Sequence, residues 1–249
     1  MSSAHQLGLE LNKLSNPSDA QFLQRYFKAG KGQYGEGDVF IGVRVPAIRK
    51  TIARFKNLSL IEVEKLLESP VHEHRLAAVI IMTEQAKRST ARHKEALYSL
   101  YLKRTTDRIN NWDIVDASCR DVVGRYLMYQ PKEPLYQLAK SKNIWERRVA
   151  IVSTAYFIGF GKIDETFKIA EMLLSDKHDL IHKAVGWMLR EAGKKDEAAL
   201  MRFLDNHASY MPRTMLRYSL EKLHAKNRAH YMSLKSKTIA QRHNKRAPS

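Results

Sequence analysis

The chain has 249 residues, a formal net charge of +17 and a pI of about 9.9, which suits one sizeable domain or two small ones and favours polyanionic partners, DNA or RNA. The apolar fraction is 44%, but no run of apolar residues predicts a membrane span and no apolar stretch near the start predicts a signal peptide. A single cysteine, Cys119, excludes an internal disulfide and fits a reducing compartment, and the ten histidines show no metal-ligand spacing, so we expect neither metal nor cofactor.

A glycine-rich loop runs from Gly30 to Gly42 and precedes a predicted helix start near Pro46. The loop lacks the G-x-x-x-x-G-K-[ST] pattern, so the sequence predicts no nucleoside triphosphate site. Arg44, just ahead of the helix start, is a candidate to bind a DNA phosphate.

Helical periodicity dominates the next part of the chain. Apolar residues recur at three- and four-residue steps through 60–67, 76–81 and 97–101. No segment combines sustained two-residue alternation with hairpin turn dipeptides. The sequence therefore predicts an all-α fold.

A weak internal repeat surrounds four cations, Arg75, Arg148, Lys183 and Arg217, which are separated by 73, 35 and 34 residues. The first gap is about two periods, and the missing member would fall near Val115. A helical period near 35 predicts stacked helix pairs, an α-solenoid of the HEAT or armadillo kind. Equivalent positions would then line one concave face as a row of cations. Coincidental spacing in a Lys/Arg-rich chain is the alternative.

Asp116 is the candidate catalytic carboxylate. In a helix, Trp112 and Asp116 are four residues apart and share one face. A lone Asp is usually a solvated charge or a salt-bridge partner, but a single anion in an electropositive groove stands out. Asp113 points elsewhere and could cap the helix or meet Arg148.

The remaining tryptophans differ in their surroundings. Trp145 belongs to an apolar series with Val149 and Ile151, which predicts a core position. Trp187 follows Gly186, and core packing is the ordinary interpretation for an isolated tryptophan.

Residues 226–249 form a basic tail, since no acidic residue follows Glu221. We expect the last dozen residues to be disordered, with a nonspecific attraction for DNA or with no function. Residues 1–225 would form a single repeat domain.

Three segments together resemble the bacterial AlkD-like DNA alkylation repair glycosylases: Trp112-Asp-Ile-Val-Asp116, Asn143-Ile-Trp-Glu-Arg-Arg148 and Lys183-Ala-Val-Gly-Trp187-Met-Leu-Arg-Glu191. The segments 40–50 and 217–223 also look like that family, and the resemblance covers roughly residues 20–225. It implies a right-handed stack of HEAT-like repeats whose concave cationic face holds duplex DNA. It also implies excision of N3- and N7-alkylated purines by hydrolysis of the N-glycosidic bond, without base flipping.

Carried over by position, the resemblance assigns roles to individual residues. Asp116 resembles the catalytic aspartate, Trp112 and Trp187 the pair that contacts the deoxyribose of the lesion, and Arg148 the arginine that engages the backbone. Tyr26 resembles a tyrosine near the lesion. Arg44 stands where the best-known member has a glutamine, which is a departure from the family pattern.

This residue set suits the implied chemistry. An N3- or N7-alkylated purine is already cationic and leaves as a neutral base, so the two-carboxylate pair of ordinary glycosidases is unnecessary. One carboxylate can stabilise the oxocarbenium-like sugar and orient water, and tryptophan faces attract the developing positive charge. We expect a monomer in the bacterial cytoplasm or nucleoid, with no membrane association and no obligate protein partner.

Two alternatives remain open. A noncatalytic HEAT-repeat protein could bind duplex or branched DNA, since a fold does not determine chemistry. A solenoid that binds protein or RNA is a weaker interpretation.

Overall fold

The computed structural model describes residues 3–234, and the chain divides into two compact units, Met1–Tyr129 and Gln130–Ser249. Within residues 3–234 the regular structure is helical, and the only bridge between extended segments joins Val39 to Val71. The predicted all-α fold is therefore confirmed. A single repeat domain over residues 1–225 and a right-handed solenoid stay predictions.

The first unit contains eight α-helices and one π-helical turn among its described residues: α1 Ala4–Asn12, α2 Pro17–Tyr26, α3 Val45–Ile52, α4 Leu60–Leu67, α5 His72–Arg88, α6 Ala91–Arg104, α7 Trp112–Asp116, the π-turn Arg120–Gly124 and α8 Arg125–Leu127. Helix α5 is the centre of this unit, because every residue from His72 to Thr83 is buried. It packs against α3, α4, α6, α7 and the π-turn. An α-helix that is apolar around its whole circumference, as between Leu76 and Met82, is expected in a core.

The second unit contains eight further helices in its described part: α9 Glu133–Ala139, α10 Ile144–Val152, α11 Ala155–Gly159, α12 Asp164–Met172, α13 Asp179–Gly193, α14 Glu197–His207, α15 Arg213–Ser219 and α16 Ala225–Ser233. Helix α13 packs most extensively against α15. Gly186 permits this approach, since a Cβ atom there would lie 2.5 Å from both the carbonyl oxygen of Met215 and the Cβ of Tyr218. The glycine before Trp187 is thus required by packing.

The sequence repeat corresponds to helix starts. Arg148, Lys183 and Arg217 are each the fifth residue of their helices, α10, α13 and α15. Asp116 is likewise the fifth residue of α7, whereas Arg75 is the fourth of α5. The repeat spacing therefore tracks helix boundaries in each unit.

The basic C-terminal segment begins as helix α16, which is anchored by Tyr231. This side chain is 2% exposed, and its hydroxyl donates to Asp205 Oδ1 at 2.7 Å. The last dozen residues, for which the sequence predicts disorder, lie within 235–249, outside the described residues. Within residues 3–234, no helix combines the length and apolar character that a membrane crossing requires.

Candidate active site and cationic surface residues

The short helix α7 carries the predicted catalytic pair. Its first turn is capped by Asn111, whose Oδ1 accepts the Trp112 N–H at 2.8 Å. Asparagine is a favoured cap because its side chain satisfies an N–H that the helix leaves unpaired. Ile114 and Val115 are buried, while Trp112 and Asp116 are both partly exposed. Trp112 and Asp116 therefore share the accessible face of α7, as the four-residue spacing predicts.

Trp112 packs into a cluster of aromatic rings. Its ring stacks on Phe27, with centroids 5.2 Å apart and planes inclined by 25°. Tyr26, the last residue of α2, meets Trp112 edge to face at 6.1 Å and is 54% exposed. Tyr26 and Trp112, which the sequence places 86 residues apart, are thus neighbours.

A buried polar network lies beneath this cluster. Asp38 accepts hydrogen bonds from His72 Nδ1 and Asn111 Nδ2, both at 2.9 Å, and pairs with the Arg75 guanidinium. His72 Nε2 donates to Asp113 Oδ2 at 2.9 Å. Through these hydrogen bonds Asp38 links the glycine-rich loop to α5 and to the start of α7.

His72 is the charged centre of this network. The side chain is 1% exposed, and burial disfavours its positive charge. The carboxylates of Asp113 and Asp38 outweigh burial and raise the pKa of His72 to about 9. Burial also acts against the charge of Asp38, but the hydrogen bond from His72 and the charge of Arg75 lower the Asp38 pKa. His72 is therefore an imidazolium held between two carboxylates at neutral pH.

Asp116 lies near a second buried polar group. Tyr101 is fully buried, and its hydroxyl is 3.0 Å from Ser118 Oγ. Burial raises the pKa of Tyr101 well above its ordinary value, and the nearby Asp116 carboxylate acts in the same direction. Asp116 is thus within electrostatic range of a neutral phenol.

The cations of the predicted row are not equally exposed. Arg75 is 3% exposed and bonds to Asp38 and to the carbonyl oxygens of Ser69 and Pro70. Arg148 is 5% exposed and donates to the Leu180 carbonyl oxygen at 2.6 Å. Internal acceptors hold both guanidinium groups, so neither residue adds an exposed cation to the predicted row.

The other predicted cations are accessible. Lys183 has a side chain that is 40% exposed and an ion pair with Asp179 at 2.6 Å. Arg217 is exposed, with its guanidinium 5.9 Å from the Tyr218 ring centroid. Arg44 is 51% exposed in its side chain, pairs with Asp19 and lies 5.3 Å from the Phe22 ring centroid.

The two tryptophans of the second unit differ in burial. Trp145 is 5% exposed, so its predicted core position is confirmed. Trp187 is partly exposed on α13, where its neighbours Gly186 and Met188 are buried. Trp187 is therefore accessible to a ligand bound at the surface of the second unit.

The sequence interpretation missed the network around His72. Its signal was present in the run His72-Glu73-His74-Arg75, four polar residues that open an otherwise apolar helix. All four are buried. A polar run at the buried start of a helix requires internal partners. The glycine-rich loop and α7 supply partners for His72, Glu73 and Arg75, whereas His74 lies within hydrogen-bond distance of Ser69 and Asn12.

Comparison with known proteins gives the family. A sequence model described as "DNA alkylation repair enzyme" matches residues 7–223. The chain belongs to the DNA alkylation repair enzyme family. This confirms the resemblance inferred from the three tryptophan segments. A comparison with curated proteins finds no match.

A solved structure shares the fold of this family member. The structure of a "predicted DNA alkylation repair enzyme" from Enterococcus faecalis matches with a TM-score of 0.67 and 18% identity, over 85% of this chain and 97% of that chain. Residues 3–234 of this DNA alkylation repair family member contain no group of three or more His, Cys, Asp or Glu residues that could hold a metal ion. The family match, and not this absence, indicates a role in DNA alkylation repair.

Proposed function

We propose that this protein is a DNA glycosylase that hydrolyses the N-glycosidic bond of cationic N3- and N7-alkylated purines in duplex DNA. The observation that carries this proposal is the pairing of Trp112 and Asp116 on the accessible face of α7, in a member of the DNA alkylation repair family. Binding to phosphates alone would require neither an aromatic face nor a carboxylate.

Asp116 is proposed as the catalytic residue. The C1′–N bond breaks, and its electron pair moves to the purine, which leaves as a neutral base. The water oxygen then bonds to C1′ and gives up a proton, for which Asp116 is the acceptor. Before this step, the carboxylate stabilises the positive charge that develops on the sugar.

Trp112 is proposed to present its ring face to the deoxyribose, where it attracts the developing cation. Its orientation is constrained by the stack on Phe27, so the ring is held in place before a substrate binds. Trp187 is proposed as a second sugar contact on the basis of its position in the family motif.

Duplex DNA is the proposed partner, held on the concave basic face of a right-handed HEAT-like solenoid. Lys183 and Arg217, in the second unit, are proposed to contact DNA phosphates. Tyr26 and Arg44, in the first unit, are proposed to contact DNA near the lesion. Arg75 does not enter this set, because its charge is used inside the protein, and the Arg148 contact stays a prediction. We propose a monomer that acts in the bacterial cytoplasm.

Release of 7-methylguanine from methylated duplex DNA tests the proposal under single-turnover conditions. Asp116→Asn keeps the size of the side chain and removes its charge, so we expect the rate to fall on the order of 10²–10³-fold. The matched control is Asp107→Asn, which alters an exposed aspartate in the turn after α6 and should leave the rate unchanged. No release by the wild type, or an undiminished rate in Asp116→Asn, would overturn the proposal. Tight, salt-dependent DNA binding without base release would support the noncatalytic alternative.

A further inference from the structure

A cleft of about 390 Å³ lies between helices α15 and α16 in the second unit. This volume falls within the range of about 300–1,000 Å³ that is common for ligand sites. The family match ends at residue 223, and α16 begins at Ala225, so that match does not extend to the wall that α16 supplies. The cleft, which we call the α15–α16 cleft, is lined by Arg217, Leu220, Ala225, Arg228, Ala229 and Met232.

Helix α16 is fixed against α15 by contacts at its own C-terminal end. The Arg213 guanidinium, from the first residue of α15, donates to the carbonyl oxygens of Met232 at 2.7 Å and Leu234 at 3.4 Å. A cation at this place satisfies carbonyl groups that a helix end leaves unpaired, and it suits the negative end of the helix dipole. Tyr231 adds a buried anchor through its hydrogen bond to Asp205. These contacts hold the two walls of the cleft together before any ligand binds.

The α15–α16 cleft is cationic, because its lining contains two arginines and no carboxylate. Arg217 and Arg228 are both exposed, and neither forms an ion pair with a carboxylate of residues 3–234. The nearest acidic residue in the sequence, Glu221, pairs with Arg190, and no acidic residue follows it in the chain. Two guanidinium charges on one cleft repel each other, so an anion placed between them is favourable.

The side chains of the cleft suit a sugar–phosphate backbone. Arginine presents its N–H groups in a planar fork that matches the oxygens of a phosphate. Beside the arginines, Ala225 and Ala229 are exposed and Met232 is partly exposed, which offers apolar surface to the carbon atoms of a sugar. Phosphate and sugar together receive roughly half or more of all protein–DNA hydrogen bonds. The eight lysines and arginines that follow Glu221 favour a polyanion over a small anion.

We propose that the α15–α16 cleft binds the backbone of duplex DNA, with the Arg217 and Arg228 guanidinium groups on phosphate oxygens and the exposed alanines of α16 against a sugar. The inference rests on the proposed function for the choice of duplex DNA over other polyanions. It adds Arg228 and helix α16 to the DNA contacts, which the repeat of cations in the sequence does not include. It also assigns the binding to a shaped cleft, so that filling the cleft should weaken binding even when the charge is unchanged.

Anisotropy titrations of the whole protein with a fluorescein-labelled, undamaged duplex test the cleft independently of base excision. Over about 50–200 mM KCl, Arg228→Gln should reduce the slope of log K against log salt by about 1, because one phosphate contact is lost. Affinity in this range should fall about five- to tenfold. Lys162→Gln is the control, because Lys162 is an exposed cation of the same unit that does not line the cleft. Equal slopes for the wild type and Arg228→Gln would overturn the proposal.

Ala229→Trp separates a shaped site from attraction by net charge. The new indole fills the cleft and leaves every charge in place, so we expect affinity for the duplex to fall about fivefold. Ala198→Trp is the matched control, since Ala198 is an exposed alanine on α14 outside the cleft. Thermal unfolding of both variants checks that the fold is retained. Wild-type affinity in Ala229→Trp would show that DNA responds to charge alone, and the cleft would then not be the site.

The same variants identify the class of polyanion. A labelled oligoglutamate and a duplex RNA of the same sequence are titrated beside the DNA. We expect Arg228→Gln and Ala229→Trp both to weaken binding of the DNA duplex. If they weaken binding of the RNA alone or of the oligoglutamate alone, the cleft serves RNA or an acidic protein, and duplex DNA is overturned as its occupant.

Base release separates this inference from the proposed function. If the wild type releases no 7-methylguanine, the glycosylase proposal fails, while the titrations with undamaged duplex still decide whether the cleft binds DNA. If the wild type releases 7-methylguanine and both cleft variants bind the duplex as the wild type does, the cleft proposal fails and the glycosylase proposal stands.

Discussion

His72 donates from Nε2 to the Asp113 carboxylate at 2.9 Å, and this bond ties the buried helix α5 to the first turn of α7. The helix that carries Trp112 and Asp116 is therefore positioned in part by a charge in the protein interior. Because the charge of the His72 imidazole depends on pH, the strength of this contact between α5 and α7 depends on pH as well.

The free energy of unfolding should fall between about pH 6.5 and pH 9. The folded-state pKa of His72 is raised to about 9 from 6.5, so its contribution is complete below pH 6.5 and is lost as the pH rises through 9. The full difference amounts to about 3 kcal/mol, at roughly 1.4 kcal/mol per pKa unit. Urea unfolding at pH 6, 7.5 and 9.5 measures this change in the free energy of unfolding. His72→Gln should lose this dependence, whereas the exposed control His5→Gln should keep it.

Arg75→Met should destabilise the protein by about 3–5 kcal/mol, because it leaves the buried Asp38 carboxylate without its guanidinium partner. The free energy from urea unfolding checks this magnitude. The salt dependence of DNA binding should not change, since Arg75 is inaccessible to a phosphate. A stable Arg75→Met protein with a weaker salt dependence would restore Arg75 as a DNA contact.

Lys183→Gln and Arg217→Gln should each reduce the slope of log K against log salt for duplex binding by about 1, because each removes one phosphate contact. Affinity should fall to a similar degree for all sequences. Lys168→Gln is the control, since Lys168 is an exposed cation of the same unit on α12 and is not in the predicted row. Equal slopes in all four proteins would contradict the proposed phosphate contacts.

Gly186→Ala should destabilise the second unit by about 1–3 kcal/mol, the usual range for overpacking. The new methyl group would lie 2.5 Å from the Met215 carbonyl oxygen, and backbone cannot move aside as a flexible side chain can. Gly30→Ala is the comparison, because its Cβ would meet only the side chain of Gln33. Thermal unfolding of the two variants should therefore differ, and equal melting temperatures would show that α13 and α15 separate easily.

Trp112→Phe and Trp145→Ala should affect different properties. Trp145→Ala removes a buried indole and should cost about 3–5 kcal/mol of stability. Trp112→Phe retains an aromatic ring on Phe27 but presents a smaller face, so single-turnover excision should slow about tenfold with little loss of stability. A Trp112→Phe enzyme with a normal rate would remove Trp112 from the proposed active site.

The sequence predicted those features that depend on local spacing. The periodicity of apolar residues indicated helices, and the four-residue step from Trp112 to Asp116 indicated their shared face. Trp145 was recognised as core from its apolar neighbours. These inferences succeed because helix geometry converts a short sequence interval into a direction.

Partners from distant parts of the chain were not predictable in this way. Arg75 occupies a position that repeats with the exposed cations Lys183 and Arg217, yet it is buried and pairs with Asp38 on a loop 37 residues earlier. His72 and Asp113 are 41 residues apart. Neither pairing has a spacing rule, because the first depends on how the glycine-rich loop returns to α5 and the second on how α7 packs against α5.

The Glu73 carboxylate receives three consecutive backbone N–H groups from Ile41, Gly42 and Val43. This segment of the loop is consequently positioned by main-chain N–H groups, which every amino acid except proline supplies, and not by its side chains. Substitutions of Phe22, Tyr26 and Val45, which line a cavity next to this loop, should therefore change its shape and polarity while the supporting backbone stays in register. The acidic residue beneath the loop makes this rim of the protein a favourable starting point for redesigning ligand preference.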